Sequence, residues 1–165
     1  MSVVFEFWFS LDSSYLSLGS QISTSPQRFI EYSDDASRST RHLASAAWAI
    51  YTSSGELFAS SGICLGRATN NIVEYSAVVE LLTEAISLNI RHLIVRLDSQ
   101  LVVRQLANYY SVRSPTLSRL LMRVRLLERE FDYIAYQHIP RRLNTYTDTL
   151  ANYVLDRHLR HSNQT

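Results

Sequence analysis

The sequence has no lysine. All 16 residues in its Lys+Arg count are arginine, set against 15 Asp+Glu, for a formal net charge of +1. So balanced a chain has no strong global field, and any affinity for a polyanion must come from local patches. Arginine suits that task, because its planar fork matches phosphate oxygens. Cysteine is almost missing as well. The single Cys64 excludes an internal disulfide and a cysteine-built metal cluster. Four glycines and three prolines are too few for a collagen-like or low-complexity chain. No apolar run reaches membrane-spanning length, so no membrane partner is expected. No arginine precedes Arg28, and neither a secretory signal nor a transit peptide is predicted. An intracellular location is expected, with cytoplasm and nucleus both open. The 165 residues, 46% hydrophobic and 19% charged, fit one domain with a real core, expected as a monomer.

Residues 1–27 read as an extension unlike the rest. Val3-Val4-Phe5-Glu6-Phe7-Trp8-Phe9 is apolar but short, and a serine-rich stretch follows from Ser10 to Ser25. The domain proper is expected over residues 28–160, with a flexible polar tail at 161–165. Phe29 to Ser33 reads as a strand ending at Asp34-Asp35. Ala44 to Tyr51 and Glu56 to Cys64 read as two more strands, joined by the turn signal Ser53-Ser54-Gly55 into an antiparallel hairpin. The longest amphipathic pattern comes next. Val73, Ala77, Val78, Leu81, Leu82, Ala85 and Ile86 recur at helical spacing, which predicts a helix over 70–88. Either Asn70 or Asn71 is a candidate cap for it. Glu80 and Glu84 fall largely away from the apolar stripe.

His92 to Leu97 is an almost continuous apolar run, as expected of an interior strand covered on both faces. A short helix over 99–107 follows, with Asp98 or Ser99 as cap. Ser114-Pro115 opens a third helix, Ser at the cap and Pro at the first helical position. Its stripe is Leu117, Leu120, Leu121, Val124 and Leu127, and Arg119, Arg123, Arg125 and Arg129 decorate the rest. Tyr133 to Ile139 is a fifth strand, and Asn144 is the candidate cap of a last helix carrying Thr147, Leu150, Ala151, Val154 and Leu155. The order β-β-β-α-β-α-α-β-α predicts an α/β fold, a mixed sheet of five strands with helices on both faces.

Three acids stand at element boundaries: Asp34 after the first strand, Glu74 on the first turn of the long helix, and Asp98 after the fourth strand. In open α/β sheets, sites gather at the carboxyl ends of strands. If strands one and four are parallel neighbours, Asp34 and Asp98 converge there. Asp148, one turn past Asn144, faces the same end of the domain. Crowded carboxylates repel and normally need a counter-ion, and oxygen-only donors suit Mg²⁺ or Mn²⁺ rather than Zn²⁺. Singly, each acid has an ordinary reading: a turn at Asp34-Asp35, a first-turn acid at Glu74, a helix cap at Asp98, a solvated helix acid at Asp148. Together, beside the segment Asn70-Asn71-Ile72-Val73-Glu74, they point to one site.

Four segments then carry a resemblance. They are Tyr32-Ser33-Asp34-Asp35-Ala36-Ser37, Asn70-Asn71-Ile72-Val73-Glu74, Leu97-Asp98-Ser99-Gln100-Leu101-Val102, and His138-Ile139-Pro140-Arg141-Arg142-Leu143-Asn144-Thr145-Tyr146-Thr147-Asp148. In this order, over about residues 28–157, the chain resembles the type 1 ribonuclease H domain, most closely the versions carried by retroelement reverse transcriptases. The resemblance implies a ribonuclease H-like fold and a metal-dependent endonuclease that cuts the RNA strand of RNA–DNA hybrids, leaving 3′-hydroxyl and 5′-phosphate ends. It implies that Asp34, Glu74, Asp98 and Asp148 hold two Mg²⁺ ions, with Mn²⁺ as substitute. His138 matches the family's mobile histidine, which assists proton transfer or product release. Asn70, Asn71 and Gln100 match positions that read the hybrid's minor groove, where the 2′-hydroxyl marks RNA. Ser99 matches a phosphate contact and Asn144 a position near the site, although capping explains both equally well. A reverse transcriptase or other polyprotein domain is the implied partner beside the hybrid.

The chain departs from the family pattern in places. Asp35 stands where glycine is usual, which leaves Asp35 open as the first ligand, although the Tyr-x-Asp-x-Ala-Ser frame favours Asp34. Arg38-Ser39-Thr40-Arg41 replaces the usual glycines and proline, and Thr147 replaces a small alanine. The basic protrusion of some relatives is missing between Asn108 and Thr116, leaving the grip on DNA to arginines such as Arg104, Arg113 and Arg119, with steep salt dependence. Three alternatives stand beside the leading reading: a catalytically inactive nucleic-acid-binding domain of this fold, another nuclease or strand-transfer enzyme built on it, and one domain of a polyprotein that depends on a polymerase partner for binding.

Overall fold

The computed structural model describes the backbone of residues 27–34, all of residues 44–143, and Thr149, Tyr153 and Asp156. Strands β1 (Gln27–Asp34), β2 (Ala44–Tyr51) and β3 (Leu57–Leu65) form an antiparallel meander. The hairpin between β2 and β3 closes through Thr52, whose amide donates to the Glu56 carbonyl (2.8 Å) and whose carbonyl accepts from Gly55 (2.9 Å). Gly55 has φ +89°, a conformation open to glycine and costly for other residues. Strand β4 (His92–Leu97) pairs parallel with β1, and β5 (Tyr133–His138) pairs parallel with β4. The sheet is five-stranded, in the order β3-β2-β1-β4-β5.

Helix α1 (Asn70–Ser87) lays Val73, Ala77, Val78, Leu81, Leu82 and Ala85 into the core, each 2% exposed or less. Burying such a leucine stabilises the fold by about 2 kcal/mol. Its bed is β2, buried along nearly its whole length and built mostly of small residues, Ala44, Ser45, Ala46, Ala47 and Ala49, which let layers approach closely. Glu84 is not an idle surface acid as the helical wheel suggests, because it accepts a hydrogen bond from the indole N–H of the buried Trp48 on β2. A buried indole N–H requires a partner, and only the fold brings one.

Helices α2 (Gln100–Leu106) and α3 (Pro115–Glu128) follow, and α3 packs on α1. Each of the three helices has a hydroxyl cap. Thr69, rather than Asn70 or Asn71, caps α1 by accepting from Ile72 N, Ser99 caps α2 through Val102 N, and Ser114 caps α3 through Leu117 N, all at 3.4 Å. Within α3 only Val124 is fully buried, while Leu117, Leu120, Leu121 and Leu127 pack partly against the core. Strand β4 is interior to the sheet but alternates in burial: Leu93, Val95 and Leu97 are buried, His92, Ile94 and Arg96 half-buried. Its second face is therefore less covered, among the described residues, than a continuous apolar run implies. The last predicted helix is described only at Thr149, Tyr153 and Asp156, each helical. Residues 1–26, 35–43 and 161–165 lie outside the described residues, with the expectations that fall on them. No described helix is long and apolar enough to cross a membrane.

Candidate metal and nucleic-acid site

Strand direction gathers the site at one edge of the sheet. β1 ends at Asp34, whose register partner is Ser45 near the start of β2. The start of β2, Ala44, is in turn opposite Leu65 at the end of β3. The end of β1 and the end of β3 are therefore at the same edge, and α1 sets out from that edge after a connection of residues 66–69. Because β4 and β5 run parallel to β1, they end there too, β4 just before Asp98 and β5 at His138. Asp34, Glu74, Asp98 and His138 thus come from four elements to one edge.

Glu74 sits inside the first turns of α1 and is only 4% exposed. An ionised carboxylate taken so far from water is costly unless charge or hydrogen bonds compensate. Asp98 is half-buried. Its main-chain oxygen lies 3.1 Å from Nε2 of His138, and Ile139 N donates to Leu97 O at 2.9 Å. These contacts extend the β4–β5 pairing, in which Leu97 is opposite His138, past the ends of both strands. His138 is exposed, so its ring is anchored at one nitrogen while remaining open to solvent.

The amides fall on the approaches to that edge. Asn70 is exposed and Asn71 half-buried, as the first two residues of α1, and Thr69 relieves both of the capping role. Gln100 is exposed at the first position of α2. Ser99 is half-buried and is used as the cap of α2. Asp148, Asn144, Asp35 and the side chain of Asp34 lie outside the described residues. Among the described residues, no three of His, Cys, Asp and Glu stand close enough to hold a metal ion. Glu74 and Asp98 supply the oxygen donors seen there, a chemistry that suits a hard divalent cation. Cys64 is elsewhere, buried on β3, and burial pushes its thiol above the ordinary value.

A polar network behind the edge links the elements that carry the site, and local sequence gives no sign of it. The phenol of Tyr75, next to Glu74 and fully buried, donates to Oε1 of Gln105 on α2 at 3.0 Å. Burial pushes that phenol up to about 12, partly opposed by the positive charge of Arg125. Arg125 on α3 reaches back to the end of α2, donating to Leu106 O (2.8 Å) and Asn108 Oδ1 (2.7 Å), and pairs with Glu128 at 2.8 Å. Glu128 accepts in turn from the Tyr136 hydroxyl on β5 at 2.8 Å. Arg125 is therefore a link between helices, not a surface decoration. It satisfies carbonyls that the end of a helix leaves open, beside Asn108 in the left-handed conformation at φ +64°.

Comparison with known proteins agrees with this topology. The Reverse transcriptase-like family matches residues 33–154. The ribonuclease HI of Halobacterium salinarum is 38% identical over 125 residues, 76% of this chain and 63% of that protein. The crystal structure of RNase H1 from that halophilic archaeon superposes with a TM-score of 0.73 at 34% identity, covering 80% of this chain and 98% of that one. LC11-RNase H1, solved in complex with an RNA/DNA hybrid, gives a TM-score of 0.71 at 29% identity over 79% of this chain and 99% of that one. The chain spans 63% of the length of the curated archaeal relative and 28% of the curated mycobacterial ones. A fold shared along almost the whole of two solved relatives, with matching sequence from β1 into the last helix, shows that this chain belongs to the ribonuclease H family, within the Reverse transcriptase-like group.

Proposed function

We propose that this chain hydrolyses the RNA strand of RNA–DNA hybrids with divalent cations, Mg²⁺ or in its place Mn²⁺, leaving 3′-hydroxyl and 5′-phosphate ends. The observation that carries the reading is the buried carboxyl of Glu74 on α1, at the sheet edge where β1, β4 and β5 end. In this reading Asp34, Glu74, Asp98 and Asp148 hold two cations, an all-oxygen set that fits a hard ion. When bound, such a pair supplies an activated water and charge stabilisation for the leaving 3′ oxygen. The chain's own residues do the rest. Asn70, Asn71 and Gln100 present amides that bond to base acceptors and to 2′-hydroxyls, which distinguish the RNA strand. His138, held at Nε2 against the Asp98 carbonyl, has its other ring nitrogen to take or give a proton. Ser99 acts first as a cap, and for Asn144 a place near the site is what the resemblance implies. The reading places the working domain at residues 28–160, active as a single domain or joined to a reverse transcriptase or other polyprotein domain.

The test is cleavage of end-labelled RNA–DNA hybrid in Mg²⁺, beside single-stranded RNA, duplex RNA and duplex DNA, with Asp98→Asn as control. Cutting of the hybrid's RNA strand alone, lost in the variant, is the expected result. Hybrid binding without cutting, in Mg²⁺ and in Mn²⁺, supports instead an inactive binding domain of this fold.

A further inference from the structure

Tyr75 is the sixth residue of α1, and Gln105 is the sixth residue of α2. The buried bond from the Tyr75 hydroxyl to Gln105 Oε1, 3.0 Å long, joins them. The first residues of the same two helices are Asn70 and Gln100, both exposed. Five residues of helix rise roughly 7.5 Å. The bond is therefore a cross-brace set at the same depth behind each of two exposed amides.

The two helices are not equally fixed. The core face from Val73 to Ala85 holds α1, which packs on α3 and on the sheet. Helix α2 has seven residues, under two turns, too few to hold a helix in water by themselves. Val102, Val103 and Leu106 seat it in the core. Apolar contacts let a short helix slide or turn. Hydrogen bonds between buried groups do not, because they weaken steeply out of line. Tyr75 supplies one such bond, from α1. Arg125 supplies another, from α3 to the Leu106 carbonyl at 2.8 Å. Tyr75 is fully buried and Gln105 is 8% exposed, so neither finds a ready substitute in water.

Glu74 and Asp98 do not depend on this bond in the same way. Glu74 stands on α1, which the core holds. Asp98 is held at the strand ends, by His138 and by the bond from Ile139 N to Leu97 O. What does depend on the bond is the distance and angle between Gln100 and the pair Asn70-Asn71.

On the reading of these three amides as contacts to the hybrid, we infer that Tyr75 and Gln105 are positioning residues for substrate recognition. Their bond sets the span between Gln100 and the two asparagines to fit the hybrid's minor groove. Neither side chain touches the substrate. Loss of the bond weakens the hold on the hybrid and leaves the chemistry in place.

The test is a double-mutant cycle on the full chain, read by steady-state cleavage of RNA–DNA hybrid in Mg²⁺. Tyr75→Phe is expected to raise KM about tenfold, the worth of one hydrogen bond, and to leave kcat within about twofold of wild type. Gln100→Ala also raises KM. Added to Gln100→Ala, Tyr75→Phe is expected to change KM little further, because the amide it positions is gone. Gln105→Met breaks the bond from the α2 side with side-chain size kept, and is expected to repeat the pattern. Agreement between the two separates loss of the bond from a folding fault in either variant. A wild-type KM in both Tyr75→Phe and Gln105→Met overturns the inference. So does a rise in KM that adds in full to that of Gln100→Ala, the mark of a purely structural role. A Gln100→Ala variant with wild-type KM, or a wild-type chain that neither binds nor cuts the hybrid, overturns the reading of the amides first and the inference with it.

Discussion

Nε2 of His138, the last residue of β5, lies 3.1 Å from the main-chain oxygen of Asp98 just past β4. The contact joins an exposed imidazole to the backbone of a candidate ligand. It leaves the ring fixed at one nitrogen and the other free for proton exchange. His138→Ala is expected to lower turnover on hybrid about 10²-fold with KM little changed. Steady-state kinetics reads this, and a turnover equal to wild type removes His138 from the chemistry.

A cation held by Glu74 and Asp98 binds the folded chain alone, so it must raise thermal stability. At a hundred times its Kd, the gain is about 2.7 kcal/mol, a rise in Tm of about 5–10 °C for a chain of this size. Calorimetry with and without Mg²⁺ is expected to show the rise in the wild type and to lose most of it in Glu74→Gln. An equal rise in both places the cation elsewhere.

Tyr75 predicts an alkaline transition. Its folded value is pushed up to about 12 from an ordinary 10.0. Below pH 10 the folded and unfolded chains both keep the proton. Between about 10 and 12 only the folded chain keeps it, so the stability tied to this group is lost as pH rises through that window. In Tyr75→Phe that component of the pH dependence disappears. The same variant leaves buried Oε1 of Gln105 without the donor seen here, at a cost of about 1–3 kcal/mol at neutral pH. Urea unfolding across pH 8–12 measures both effects.

Arg125 and Glu128 form a pair whose side chains are 31% and 17% exposed. Arg125→Met also strips the donor from Leu106 O and is expected to cost about 1–3 kcal/mol. Adding Glu128→Gln should cost less than the sum of the two, with a coupling of about 0.5–3 kcal/mol. Additive losses in urea melts contradict a direct pair.

Much of this fold was legible because its signals are local. The amphipathic period from Val73 to Ala85, the Ser114-Pro115 helix start and the Ser53-Ser54-Gly55 turn each lie within a few residues. Asp34 and Asp98 were placed at one edge by the single assumption that the first and fourth strands run parallel, as they do. What the sequence hid depends on distant partners. Glu84 is held by Trp48, 36 residues away, and Tyr75 by Gln105, 30 away. Arg125 looks like any arginine on a helix until α2 is folded against α3. The cap of α1 went to Thr69 over two asparagines, a choice between adjacent polar residues that composition does not decide. Helix α1 and the meander explain why Glu74 is buried; neither assigns it a cation.

The measurement that tests the account most directly is the single-turnover rate of RNA cleavage in a hybrid by the wild type and Glu74→Gln in Mg²⁺, with hybrid binding measured in parallel. The account predicts a rate lost in Glu74→Gln with binding retained, since the buried carboxyl serves the cation and Asn70, Asn71 and Gln100 serve the hybrid. A variant that cuts at the wild-type rate would contradict it, because the buried carboxyl at the sheet edge would then have no part in the chemistry.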